Sequence, residues 1–114
     1  MVVRQVQPEK LDRIFSALAD PTRRDILARV LNREESVSSL ADRYPMSFAE
    51  VQRHVAVLER AGLVTKQTSG RERLVRGRLD TTRAVNRLLD QYEEIWRGRI
   101  AQMDALLGAP TGDG

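Results

Sequence analysis

The stretch Ser47 to Gly62, SFAEVQRHVAVLERAG, carries a start signal, a stop signal and two chemically different faces, and only an amphipathic helix uses all of them at once. Ser47 and Glu50 stand in the S-x-x-E relation of a capping box: the serine hydroxyl satisfies an orphan N–H of the first turn, and the glutamate reaches back to the serine N–H. Met46 and Val51 flank that cap as a hydrophobic staple. Gly62 supplies the left-handed residue that commonly follows a last turn. At about 100° per residue, Val51, Val55 and Leu58 fall on one side, and Ala49, Gln52, Arg53, Ala56 and Arg60 fall roughly opposite. That outer face holds no aliphatic residue larger than alanine. It suits insertion into a groove as well as it suits solvent, so the neighbouring elements have to decide. Phe48, at the edge of the apolar face, is expected to pack.

Upstream, Pro8 to Leu18 carries Leu11, Ile14, Phe15 and Leu18 at the i, i+3, i+4, i+7 spacing of an amphipathic helix. Asp20 and Pro21 are the cap and first residue of a second helix, whose buried stripe is Ile26, Leu27, Val30 and Leu31. The polar run Asn32 to Ser36 reads as a loop. Val37 to Tyr44 predicts a short third helix, capped by Ser36 or Ser38 and broken at Pro45 and Met46. Two short helices joined by a turn of about three residues, the second with a groove-compatible face, make a helix-turn-helix candidate. After Gly62, Leu63 to Gln67 predicts a strand, Ser69-Gly70-Arg71 a turn, and Arg73 to Leu79 the returning strand. This hairpin has too little apolar content to stand alone. It must lean on the helices and project its tip as a wing.

Asp80 or Thr81 caps the last element, which runs to Gly108 with Val85, Leu88, Leu89, Tyr92, Trp96, Ile100 and Met103 along one stripe. At 1.5 Å per residue it is roughly 40 Å long, more than so small a domain can cover. The excess stripe calls for a partner. The economical one is its copy in a second chain, with Leu11 and Phe15 of the first helix joining the interface. Residues 109–114 form a small-residue tail expected to fray.

The chain has 114 residues, of which 41% are hydrophobic, enough for a single domain with a modest core. Its net charge of +3 resides in residues 36–80, where eight Lys/Arg face five Asp/Glu. Lys66, Arg71, Arg73, Arg76 and Arg78 there meet only Glu72 in sequence. A cationic strip beside a groove-compatible helix is the electrostatic footprint of a nucleic-acid binder. The chain contains no cysteine, which excludes a disulfide framework, a thiolate metal site and a cysteine nucleophile. No run approaches the ~18 apolar residues of a membrane span, and no apolar leader opens the chain, so the expected location is the cytoplasm, with no membrane partner.

The order of these elements resembles the ArsR-type winged helix-turn-helix transcriptional regulators. The likeness runs from about Leu11 to Leu107. It is carried by Leu18-Ala19-Asp20-Pro21-Thr22-Arg23-Arg24, by the Arg53-His54 pair, and by Leu58-Glu59-Arg60-Ala61-Gly62-Leu63-Val64. The resemblance implies a mainly α fold with a small β-hairpin, in the order α-α-α-α-β-β-α. It also implies a homodimer joined through the first and last helices, repressing transcription from a near-palindromic operator. In the family's metal sensors a Cys-Val-Cys motif occupies the third helix, and in others Asp and His on the last helix hold zinc. Here Val37-Ser38-Ser39-Leu40 has no cysteine and the last helix no histidine. The chain therefore resembles the metal-independent branch, with neither metal nor cofactor expected. A small-molecule effector near Tyr92 and Trp96 stays open beside plain core packing of those rings.

The candidate DNA contacts are Ser47, Ala49, Gln52, Arg53, His54, Ala56, Lys66, Arg71 and Arg73. Arg53 can pair bidentately with guanine or touch phosphate alone, and Gln52 can pair with adenine. Ala49 and Ala56 let the backbone approach and can touch a thymine methyl. Ser47 is first a cap. His54, the only histidine, lies beside the apolar stripe, where packing or a phosphate contact suits it better than base reading. Lys66, Arg71 and Arg73 are wing contacts to phosphate or minor groove. Arg23 and Arg24 either reach phosphate or pair with Asp20 or Asp25. No nucleophile, base and orienting group stand together, so no catalytic residue is assigned. The competing reading is a winged-helix protein-interaction module without specific DNA binding.

Overall fold

The computed structural model describes residues 7–108. Two helices, α1 (Pro8–Leu18) and α2 (Pro21–Asn32), lead into a two-residue strand β1 (Glu35–Ser36). Helices α3 (Val37–Ala41) and α4 (Phe48–Arg60) follow, then strands β2 (Val64–Ser69) and β3 (Glu72–Gly77) and the long helix α5 (Leu79–Leu107).

The helix ends are set by local chemistry. Asp20 Oδ1 accepts from the Arg23 backbone N–H at 3.0 Å and starts α2. Ser36 Oγ accepts from the Ser39 N–H at 3.0 Å and starts α3. Both arms of the capping box on α4 are closed: the Glu50 N–H donates to Ser47 Oγ at 3.1 Å, and the Ser47 N–H donates to Glu50 Oε1 at 3.2 Å. Gly62 takes φ +77°, and the Leu63 N–H returns to the Leu58 carbonyl at 3.0 Å, which ends α4 and turns the chain into β2.

Val51, Val55 and Leu58 are fully buried at 0% exposure. Around them lie Ile14 of α1, Ile26 of α2, Leu40 of α3, and Leu63 and Val75 beside and within the sheet. The sheet is antiparallel in the order β1-β3-β2. Val64 pairs with Gly77 and Ser69 with Glu72, closing a hairpin around Gly70 at φ +63°. Helix α5 is anchored only at its start. Thr81 Oγ1 donates to the Gly62 carbonyl at 2.6 Å, and the Arg78 N–H donates to the Leu63 carbonyl at 2.8 Å. Thr81 and Val85 are its buried residues. Further along, Leu89, Tyr92, Trp96, Ile100 and Met103 are exposed.

Several local expectations are corrected. Glu35 and Ser36, read as loop, pair with Val75 and Leu74 as a third strand, a contact between segments about forty residues apart that no local pattern encodes. The third helix stops at Ala41 rather than Tyr44, and residues 42–47 form a longer turn held by backbone bonds such as Met46 N–H to Tyr44 C=O at 2.8 Å. The returning strand ends at Gly77. Helix α5 begins at Leu79 with Arg78 at the cap position, where its side chain makes no capping bond, so neither Asp80 nor Thr81 caps it. Leu31, expected within the buried stripe, is 41% exposed. Phe48, expected to pack, is 48% exposed. Val85, expected at a dimer face, is buried in the core of its own chain at 9% exposure. The tail at 109–114 lies outside the described residues.

Leu31 closes over Gly77. A Cβ built on that glycine would stand 2.6 Å from Leu31 Cδ2 and 3.0 Å from Leu31 Cα. The side chain can rotate away but the backbone cannot, so the α2–β3 contact requires glycine. Gly77→Ala is predicted to destabilise the fold by about 1–3 kcal/mol, as overpacking does. The check is the shift in urea midpoint at unchanged slope, and an unshifted midpoint would refute the close approach.

Candidate nucleic-acid interface

With one stripe of α4 buried, its other side is committed to solvent. Ser47, Ala49, Gln52 and Arg53 are exposed, Ala56 is half-buried, and His54 lies half-buried on the flank. Among the described residues, no side-chain hydrogen bond or ion pair engages Gln52 or Arg53, whose polar ends are free to meet a ligand. An α-helix fits the major groove, and Arg and Gln make the bidentate base contacts possible there.

The other flank of α4 is held by Arg23. Its Nε donates to the Ala17 carbonyl at 2.7 Å and its Nη2 to the Ser16 carbonyl at 3.1 Å, satisfying the last turn of α1. Its Nη1 lies 3.3 Å from His54 Nδ1. Guanidinium has no acceptor, so Nδ1 of His54 accepts and the ring proton sits on Nε2. Arg23 thereby joins α1, α2 and α4 and is occupied internally. Arg24 donates to the Leu18 carbonyl at 2.8 Å. The Asp20 carboxyl is held below the usual range, first by the Arg23 backbone N–H and also by the nearby charge on Arg23.

The wing is less cationic than its sequence. Lys66 turns back to Glu59 on α4, with Nζ 3.5 Å from Oε1. Arg76 pairs with Glu34 at 3.2 Å and Arg78 with Asp80 at 2.7 Å. Arg71 in the hairpin turn and Arg73 near the start of β3 are exposed, and no side-chain partner engages them among the described residues. Five basic residues in sequence thus reduce to two unneutralised cations at the tip, because acids from α4, the α2–β1 connection and α5 fold against the other three.

A second network, which the sequence does not reveal, fixes the turn before α4. Tyr44 Oη donates to Asp25 Oδ2 at 2.6 Å, and Arg29 Nε donates to the same oxygen at 2.9 Å and to Tyr44 Oη at 3.2 Å. The Arg29 guanidinium also stands 5.9 Å from the Tyr44 ring centre. Burial, and then the bond to Asp25, push the Tyr44 hydroxyl up to about 12. The Asp25 carboxyl is held below its ordinary value by Tyr44 first and Arg29 second. The i, i+4 relation of Asp25 and Arg29 is a sequence signal. The partner nineteen residues on is not.

The residues expected at a dimer face divide. Leu89, Tyr92, Trp96, Ile100 and Met103 form an exposed stripe on α5 and Phe15 is exposed on α1, whereas Leu11 and Leu88 are half-buried. Among the described residues no group of three or more His, Cys, Asp or Glu could hold a metal ion, and no helix is long and apolar enough to cross a membrane.

A helix-turn-helix with a short antiparallel sheet behind it and a hairpin projecting beside the second helix defines a winged helix-turn-helix protein. A helix-turn-helix domain family matches residues 18–67. The chain is 40% identical over 63 residues to the HTH-type transcriptional regulator Rv2034 of Mycobacterium tuberculosis, covering 55% of this chain and 59% of that protein. The chain thus spans under two thirds of that relative's length. Among solved structures, the ArsR family transcriptional regulator RHA00566 superposes with a TM-score of 0.76 at 34% identity, over 82% of this chain and 97% of that one. An ArsR-like transcriptional regulator from Rhodococcus sp. RHA1 gives a TM-score of 0.76 at 30% identity, over 90% and 96% of the two chains. The chain belongs to the ArsR family of winged helix-turn-helix transcriptional regulators.

The Tyr44 network makes a pH prediction. A carboxyl whose folded value is depressed contributes stability above its unfolded value, near 4, and loses it as pH falls through the folded value. Tyr44→Phe removes the first cause, so the Asp25 carboxyl should titrate closer to its ordinary value in a carbon-detected NMR titration. The variant should also lose less of its stability than the parent on acidification below about pH 4. An Asp25 titration identical in the two proteins would remove Tyr44 as the cause.

Proposed function

We propose that the protein is a homodimeric repressor acting in the cytoplasm, which binds a near-palindromic duplex operator with α4 of each copy in one of two successive major grooves. The observation that carries this reading is the division of α4, fully buried on one side and offering the unengaged Gln52 and Arg53 on the other. Gln52 and Arg53 read bases, Ala49 and Ala56 allow close approach, and Ser47 keeps the helix N-terminus, with its partial positive charge, ordered beside phosphate. Arg71 and Arg73 of the wing neutralise phosphate or enter the minor groove. Lys66 contributes through its ion pair with Glu59, which braces β2 against α4, more than through direct contact. His54 orients α4 through Arg23.

Dimerisation follows from the stripe on α5. Covering a large apolar side chain is worth about 1.5–3 kcal/mol, and the stripe holds five, Leu89, Tyr92, Trp96, Ile100 and Met103, with Phe15 exposed on α1 as a sixth apolar side chain to be covered. Two copies related by a two-fold axis bury identical stripes against each other and close the assembly. The rival reading, a protein-interaction module, would need an apolar anchor patch on α4. Phe48 is the single large apolar group on its exposed surface, and one ring falls well short of the few hundred Å² that mark such a patch.

Selection of bound duplexes from a random pool tests the whole reading, and it should return two inverted half-sites centred about 34 Å apart or a close multiple. Arg53→Ala should weaken binding to that operator and relax preference at one base pair by about 1–3 kcal/mol. Loss of equal size on random duplex would instead assign Arg53 to phosphate. Arg71→Ala should weaken binding to all sequences alike and reduce the slope of log affinity against log salt by about 1. Replacing Trp96 and Ile100 together by Glu should give monomers in sedimentation equilibrium. A double variant that remains dimeric would move the interface elsewhere.

A further inference from the structure

Phe48 is the first residue of α4, directly after the Ser47 cap. A large aromatic ring at 48% exposure in that position is unusual in what it leaves undone. It is outside the core cluster and sits at the edge of the buried stripe: at 100° per residue it stands over 50° round the helix from the centre of Val51, Val55 and Leu58, and the fold leaves that edge uncovered. The same geometry puts it 40° from Gln52 and one turn before it, so the two side chains form one row on the helix surface. The amino-terminal residues of a recognition helix are those that reach base edges.

Resting on the operator-binding reading above, we propose that Phe48 is a specificity-determining residue that recognises the C5-methyl group of a thymine next to the base pair read by Gln52. The chemistry is selective. In the major groove thymine alone presents an apolar group, and an aromatic edge can make apolar contact with it but cannot hydrogen-bond any base. Contact desolvates both the exposed ring and the methyl, whereas cytosine or guanine at the same step would leave a donor or acceptor facing the ring without a partner. Phe48 and Gln52 together then specify two neighbouring positions, one by shape and one by hydrogen bonds.

The test uses the full chain and the operator obtained by selection, with thymines replaced one at a time by deoxyuridine, which removes only the methyl. In the parent protein one thymine per half-site should be sensitive, with affinity falling about fourfold, the value of one buried methyl-sized group. Phe48→Ala should bind thymine and deoxyuridine operators equally at that position, and Phe48→Leu should retain part of the preference. Because each variant is compared with itself on two duplexes, a change in folding cancels. A thymine preference undiminished in Phe48→Ala would transfer the methyl contact to Ala49 or Ala56 and overturn the inference. Selection that returns a consensus with no uridine-sensitive thymine would overturn this inference alone. Selection that returns no consensus would overturn the operator reading and this inference with it.

Discussion

Complete burial of Val51, Val55 and Leu58 is the constraint on which the remaining structure depends. A helix has one axis of rotation, and once three residues on successive turns are committed to the core, the direction of every other side chain on it is decided. The outward presentation of Gln52 and Arg53 is a consequence of that packing. Arg23 then resists rolling of the helix on one flank through His54, and the Lys66–Glu59 pair spans to the wing on the other. Exposed ion pairs are weak taken singly, so orientation comes from the core and the pairs refine it.

The same division of labour governs charge. A basic sequence suggests a basic surface, yet folding neutralises Lys66, Arg76 and Arg78 and, among the described residues, leaves Arg53, Arg71 and Arg73 without side-chain partners. Unpaired cations at the helix face and the wing tip are the ones able to displace counterions from a duplex. The paired ones brace the hairpin, whose thin apolar content would otherwise leave it poorly held.

Helix α5 poses the opposite problem. Its first two turns are tied down by Thr81 and Val85, and the remainder carries a stripe of large apolar side chains that the described residues leave exposed. A stripe of this kind is a cost in water and a driving force when matched by a copy. The helix proposed to meet DNA and the helix proposed to meet another subunit are therefore joined at one short junction, the Gly62 carbonyl and the Leu63 carbonyl, where α4, β2 and α5 meet.

Much of this was legible in the sequence because its causes are local. The capping box at Ser47 and Glu50, the Asp20 cap, the left-handed Gly62 and the helical spacing of α1, α2, α4 and α5 each act within a few residues, and each sets a helix or a helix end where the sequence predicts one. What only the tertiary structure decided depends on residues distant along the chain. The pairing of Glu35 with Val75, the contact of Leu31 with Gly77, the clasp of Tyr44 on Asp25 and the neutralisation of Arg76 by Glu34 all join segments that no periodicity relates. Phe48 and Val85 depart from the sequence expectation for the same reason: a position at the edge of a stripe is buried or exposed according to what packs beside it, and that neighbour is chosen by the fold.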